Sequence, residues 1–243
     1  MTARSFRRHA AATLVMGVGA LLFAVSLATA ALSYVGRFGQ SQPAWTLAAG
    51  LHAAFIDSLL FAAFALHHSV FARPAIRQRV ARLVSEDLER PVYVIVASLL
   101  LLLVVGAWRP VPGVAWSASG LPRLLLITTQ ACGLAITLVA AWQLGLTRLS
   151  GLSRPGPAAS SAPATLRHTG FYGVVRHPIY FAWVLMVWPA ADMTGSRLVF
   201  AVLSTGYLAI AVPFEERTLR EQFGAAYDAY TRQVRWRMVP GVY

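Results

Sequence analysis

Six apolar runs that carry little charge restrict this chain to folds that sit in a lipid bilayer. They cover roughly residues 10–34, 45–71, 92–108, 122–146, 178–193 and 197–214. A helix rises about 1.5 Å per residue, so about 20 apolar residues cross the hydrocarbon core. The first, second and fourth runs clear that length easily. The third is slightly short, and the fifth is the shortest. The fifth is expected to tilt little, to thin the bilayer, or to begin earlier, near Tyr172. Only 12% of residues are charged, against about 25% in soluble domains, and the mean hydropathy is +0.59. The expected fold is all-α: a polytopic membrane helix bundle of about six spans. The length fits one domain over residues 1–243, not several.

All 21 basic residues are arginine, and the formal net charge is +12. Nucleic-acid binders share that balance. Membrane proteins, however, load arginine on the cytoplasmic side, and that reading is preferred; no nucleic-acid partner is expected. With the N-terminus in the cytoplasm and six alternating spans, 17 arginines fall inside. Only Arg37, Arg109, Arg123 and Arg197 fall outside. The split places both termini in the cytoplasm. Arg4, Arg7 and Arg8 before an apolar stretch ending Ala28-Thr29-Ala30 resemble a signal peptide. The run is longer than a usual signal core, so an uncleaved first span is expected.

The single cysteine, Cys132, lies in an apolar run and is expected to pack there. One cysteine excludes an intrachain disulfide, and no Cys/His spacing suits a metal. Residues 150–165 are rich in Ser, Gly, Pro and Ala and are expected to form a flexible loop, a plausible lid. Residues 214–234 place Leu219, Phe223, Ala226, Tyr230 and Val234 at helical spacing. They are expected to form an amphipathic helix on the cytoplasmic face or beneath the bundle.

The richest polar cluster is C-terminal. Gly170-Phe171-Tyr172-Gly173-Val174-Val175-Arg176-His177-Pro178-Ile179-Tyr180 enters one span, and Glu215-Glu216-Arg217 leaves the next. If the two spans form a hairpin, a cation, an imidazole and two carboxylates meet at one membrane face. Each residue alone has a structural explanation. Arginine snorkels at a span entry, proline suits a first helical turn, and carboxylates suit a helix N-terminus. As a spaced set they are harder to dismiss.

This segment resembles the isoprenylcysteine carboxyl methyltransferase family. Its motif pairs Gly-x-Tyr-x-x-x-Arg-His-Pro-x-Tyr with Glu-Glu-x-x-Leu-x-x-x-Phe-Gly-x-x-Tyr-x-x-Tyr. The chain matches at Gly170, Tyr172, Arg176, His177, Pro178, Tyr180, Glu215, Glu216, Leu219, Phe223, Gly224, Tyr227 and Tyr230. Upstream, His67-His68-Ser69-Val70-Phe71-Ala72-Arg73-Pro74 and Glu89-Arg90-Pro91-Val92-Tyr93 resemble the NnrU and methanethiol S-methyltransferase branch, as does Met193-Thr194. Two departures stand out. Ala182 replaces the usual glycine after the motif tyrosine, and the tail Val234-Arg235-Trp236-Arg237-Met238-Val239-Pro240 lacks the first of two usual prolines.

The resemblance implies a methyltransferase using S-adenosylmethionine, with a cofactor core over about 165–240. Gly170, Tyr172, Arg176, His177, Pro178, Tyr180, Glu215 and Glu216 are the expected cofactor-binding residues. The chemistry agrees: arginine suits a carboxylate, a carboxylate suits an ammonium or ribose hydroxyls, and aromatic faces suit adenine and the sulfonium. Methyl transfer from a sulfonium is an in-line displacement that needs alignment and no metal. His68 and Arg73 are the expected catalytic residues on the acceptor side. The branch implies a small thiol acceptor, a membrane-lipid environment and the bacterial inner membrane. A prenylcysteine or lipid carboxylate, or an amine headgroup, is the alternative acceptor. His52, Asp57, His67 and His68 in the second span leave two readings from other classes, a haem- or quinone-linked oxidoreductase and a transporter.

Overall fold

The computed structural model describes residues 3–40, 46–145, 150, 152 and 166–243. The expected lid at 150–165 lies, but for Ser150 and Leu152, outside them. The described chain is all-α apart from two short strands. Its elements are α1 (Ala3–Val35), α2 (Leu47–Phe71), α3 (Pro74–Val84), α4 (Glu86–Ala107), β1 (Val114–Ser117), α5 (Gly120–Leu144), α6 (Pro178–Val187), β2 (Asp192–Thr194), α7 (Gly195–Phe223) and α8 (Ala225–Gln233). Five helices, α1, α2, α4, α5 and α7, are long and apolar enough to cross a membrane. The chain is an integral membrane protein, and two units divide it.

The first unit holds α1, α3, α4 and α2 beyond its first turn. α1 packs along α4, and Gly19 lies close to Ile95 and the Pro91 carbonyl. The end of α4 leaves carbonyls without helical partners. Arg37 donates to those of Val105, Gly106 and Trp108. Asp57, expected near mid-span, is wholly buried and accepts from the Arg109 amide at 2.8 Å. It therefore ties α2 to the turn that follows α4. Sequence periodicity did not reveal α3. It is a charged helix with Pro74 in its first turn, docked on α4 by Arg77, whose Nε and Nη2 each lie 2.8 Å from Glu89. Ser85, at φ 93°, makes the sharp bend between the two helices.

The second unit holds α5 to α8 and both strands. The fifth apolar run is helical only over ten residues, about 15 Å. Trp188 is still in the helical region and its amide still donates to the Val184 carbonyl, but Pro189 next to it has no N–H with which to extend the ladder. Non-helical chain flanks the helix on both sides. Segment 170–192 runs antiparallel along α5: Gly170 lies near Gln143, Gln130 Nε2 donates to the Met186 carbonyl at 2.6 Å, and Arg123 pairs with Asp192 at 2.8 Å. β2 then pairs antiparallel with β1. Trp183 and Trp188 hold α6 to α7 through indole bonds of 2.9 Å to Ser204 and Thr205.

The expected helix at 214–234 is divided. Its first half continues α7, and Gly224, at φ 54°, breaks the rod before α8. Tyr227, Tyr230 and Val234 are buried with Leu166, Leu219 and Phe223, so the apolar face of α8 packs inside its unit. Cys132, expected in packing, is exposed on α5.

Asp192 anchors the start of β2. Its carboxylate accepts from Ser117 at 2.5 Å and Arg123 at 2.8 Å. The Ser117 hydrogen bond and then Arg123 hold its pKa below the usual aspartate value. A depressed folded-state pKa stabilises the fold above the ordinary aspartate range, and that contribution fades as pH falls below it. Melting curves between pH 6 and 3 are expected to show an acid-side loss of stability that is shallower in Asp192→Asn. Equal slopes contradict this account.

Candidate functional site

The C-terminal cluster assembles within the second unit. Arg176 and His177 lie in the non-helical chain just before α6, where Pro178 opens the helix. Their amides donate to the tail: Arg176 N to the Trp236 carbonyl at 2.9 Å, His177 N to the Arg237 carbonyl at 2.8 Å. Backbone pairing thus sets their height beside the last turns of α7, which carry Glu215 and Glu216.

The two adjacent glutamates have different environments. Glu216 is buried, and both its oxygens are used. Arg176 Nε lies 2.7 Å and His177 Nε2 3.5 Å from Oε1; Arg237 Nε lies 3.2 Å from Oε2. Burying a carboxylate costs several kcal/mol unless opposite charge compensates it, and two guanidinium groups do so here. Glu215 has a side chain 45% exposed. It accepts from the Tyr180 hydroxyl at 2.7 Å and sits 3.5 Å from His177 Nδ1. The imidazole therefore lies between the two carboxylates and stacks parallel to the Tyr180 ring at 5.3 Å.

The cluster rests on the buried face of α8. The Tyr230 hydroxyl donates to the Tyr172 carbonyl at 2.8 Å, holding the 3₁₀ turn Gly170–Gly173. Gly170 opens that turn at φ 64°, a conformation glycine adopts without strain. Burial, and then the nearby Glu215 charge, push the Tyr172 pKa up. Burial is also the main cause that raises the pKa of Tyr227 and Tyr230, so both keep their protons. The Tyr227 hydroxyl is buried without a hydrogen-bond partner.

The structure brings five of the eight expected residues together by side chain, Arg176, His177, Tyr180, Glu215 and Glu216; Tyr172 joins through its carbonyl, Pro178 opens α6, and Gly170 shapes the turn. Arg237 was missed. It comes from the tail, and local periodicity says nothing about a backbone pairing some 60 residues away.

The first unit holds the upstream histidines. His68 Nδ1 lies 2.9 Å from the Tyr93 hydroxyl. The His67 ring stacks between Phe71 at 4.7 Å and Tyr93 at 5.6 Å. Arg73 is exposed at the start of α3.

Residues 123–226 match the family model described as phospholipid methyltransferase. The chain is 35% identical over 185 residues to methanethiol S-methyltransferase 2 of Bradyrhizobium diazoefficiens, covering 75% of this chain and 71% of that protein. It is 34% identical to the methanethiol S-methyltransferase of Crocosphaera subtropica (75% and 73% covered) and 35% identical to that of Mycobacterium tuberculosis (75% and 76%). No solved structure matches. Identity sustained over three quarters of the chain, and over more than two thirds of these relatives, makes this protein a member of the membrane methyltransferase family that contains the methanethiol S-methyltransferases.

Proposed function

We propose that this methyltransferase takes its methyl group from S-adenosylmethionine and delivers it to a small thiol. The observation that carries the reading is the unspent part of the cluster. Arg176 commits Nε to Glu216, and no bond from its terminal nitrogens is made to a described residue. Glu215 keeps an exposed carboxylate edge. A guanidinium fork and a free carboxylate are the complementary groups for an amino acid's carboxylate and ammonium. His177 and Tyr180 present stacked rings for an aromatic or sulfonium surface. When bound, the cofactor supplies a methyl group on a sulfonium leaving group. Tyr172, Gly170 and Pro178 shape the backbone around it, and Glu216 holds Arg176 and His177 in place.

On the acceptor side, His68 and Arg73 are the proposed contacts, with the Arg73 charge favouring a thiolate over a thiol. The names of the relatives support a small thiol over a prenylcysteine, a lipid carboxylate or an amine headgroup. The arginine distribution supports a bacterial inner-membrane location with both termini and the cluster on the cytosolic side.

Calorimetry on the purified protein tests the cofactor. The wild type is expected to bind S-adenosylmethionine, and His177→Ala and Glu215→Ala to bind it at least tenfold more weakly. No binding by the wild type, or unchanged binding in both variants, overturns the assignment. Headspace analysis with methanethiol should show dimethyl sulfide, whereas preferential methylation of a prenylcysteine, fatty acid or amine overturns the thiol.

A further inference from the structure

In the first unit, α2, α3 and α4 frame a partly open cavity of about 140 Å³ lined by His67, Phe71, Val80, Glu89, Val92, Tyr93 and Val96. Its walls are almost wholly apolar. Three polar side chains reach it, and two are already engaged. Both Glu89 oxygens accept from Arg77. The Tyr93 hydroxyl meets His68 Nδ1 at 2.9 Å and the His68 carbonyl at 3.3 Å. The third, His67, is held by ring contacts alone, and its Nδ1 is buried without a hydrogen-bond partner. The cavity thus offers a hydrophobic volume and one unfilled polar group. An apolar cavity of about 150 Å³ holds a ligand the size of benzene, about six non-hydrogen atoms.

We propose that this cavity is a binding site for a small, mostly apolar thiol of up to about six non-hydrogen atoms, with the S–H directed at the His67 imidazole. The inference rests on the proposed function for the choice of a thiol. The site itself rests on volume, lining and the spare imidazole. The volume matches a small acceptor, and the bulk of a prenylcysteine would have to lie outside it. The cavity adds His67, which meets the S–H, to the acceptor-side contacts proposed for His68 and Arg73.

The test is binding of ethanethiol to the full-length protein in detergent, read by saturation-transfer NMR without any methyl donor. Val92→Trp, which fills the cavity, is expected to weaken binding at least tenfold. Val92→Ala, which enlarges it, is expected to extend the tolerated chain length towards 1-hexanethiol. His67→Phe keeps the ring contacts and removes the nitrogens. It is expected to weaken ethanethiol several-fold but leave ethyl methyl sulfide, which has no S–H, unchanged. Equal ethanethiol binding by wild type and Val92→Trp overturns the site, as does a chain-length profile unmoved by Val92→Ala. Equal losses of thiol and thioether in His67→Phe overturn the S–H contact. A wild type that binds ethanethiol in this way and methylates no thiol overturns the proposed function while the binding site stands.

Discussion

Replacing Glu216 with alanine is expected to cost about 3–5 kcal/mol of stability, the usual penalty for removing one partner of a buried ion pair. The substitution leaves the Arg176 guanidinium, whose side chain is only 9% exposed, and His177 without their carboxylate. Arg237 loses its partner too, but is 37% exposed and can turn to water. Arg176 and His177 then lose the group that orients them, so cofactor binding is expected to disappear with the stability. Glu215→Ala is the comparison that decides between charge and position. Glu215 is adjacent in sequence but half exposed. Exposed pairs are worth about 0–1 kcal/mol, so its loss is expected to weaken the cofactor with little change in melting. Thermal melting and calorimetry on both variants give the check. Equal melting shifts refute the distinction between a buried carboxylate that supports the site and an exposed one that meets the ligand.

Gly133→Leu is expected to disrupt the second unit nearly as much. A Cβ at Gly133 would sit 2.8 Å from the Ala182 carbonyl oxygen, 2.9 Å from Met186 Cγ and 3.0 Å from Leu185 Cβ. Met186 can turn aside, but the carbonyl belongs to the α6 backbone and cannot. Overpacking of this kind costs about 1–3 kcal/mol, and more when backbone must move. The cost is transmitted to the site, because α6 begins one residue after His177. A lowered melting midpoint together with weaker S-adenosylmethionine binding is expected, with Gly133→Ala intermediate. Wild-type melting for Gly133→Leu contradicts the close α5–α6 approach. The same crossing bears on Ala182, which replaces a usual glycine. It is fully buried, and the bare α5 backbone opposite leaves room for the chain to pass.

The spans were legible because hydropathy reports burial in lipid directly, and five of the six apolar runs are long helices. The fifth run was legible as short. Its path alongside α5 was not, because that path depends on contacts between Gln130, Gly133, Met186 and Ala182 that no local pattern contains. The helix α3 hid in a run of arginines that looked like a topology signal. Arg77 is spent on Glu89, so that charge serves packing as well as orientation. The cluster of Arg176, His177, Tyr180, Glu215 and Glu216 was legible as a motif whose two halves lie about 35 residues apart. The different work of the two glutamates was not, because one position along a helix turns a side chain by about 100° and changes what it faces.

One rod carries a consequence for the lipid. α7 runs unbroken from its Thr194 cap, beside the strand pair, to Phe223. Glu215 and Glu216 stand about 31–33 Å along it, close to the hydrocarbon thickness of a typical bilayer, about 30 Å. The carboxylates thus stand one bilayer thickness from the cap, just past Pro213 within the same helix. In short-chain lipid they stand clear in the headgroup region; in long-chain lipid the rod must tilt or draw them inward. Acyl-chain length is thereby expected to set how deep these two carboxylates sit.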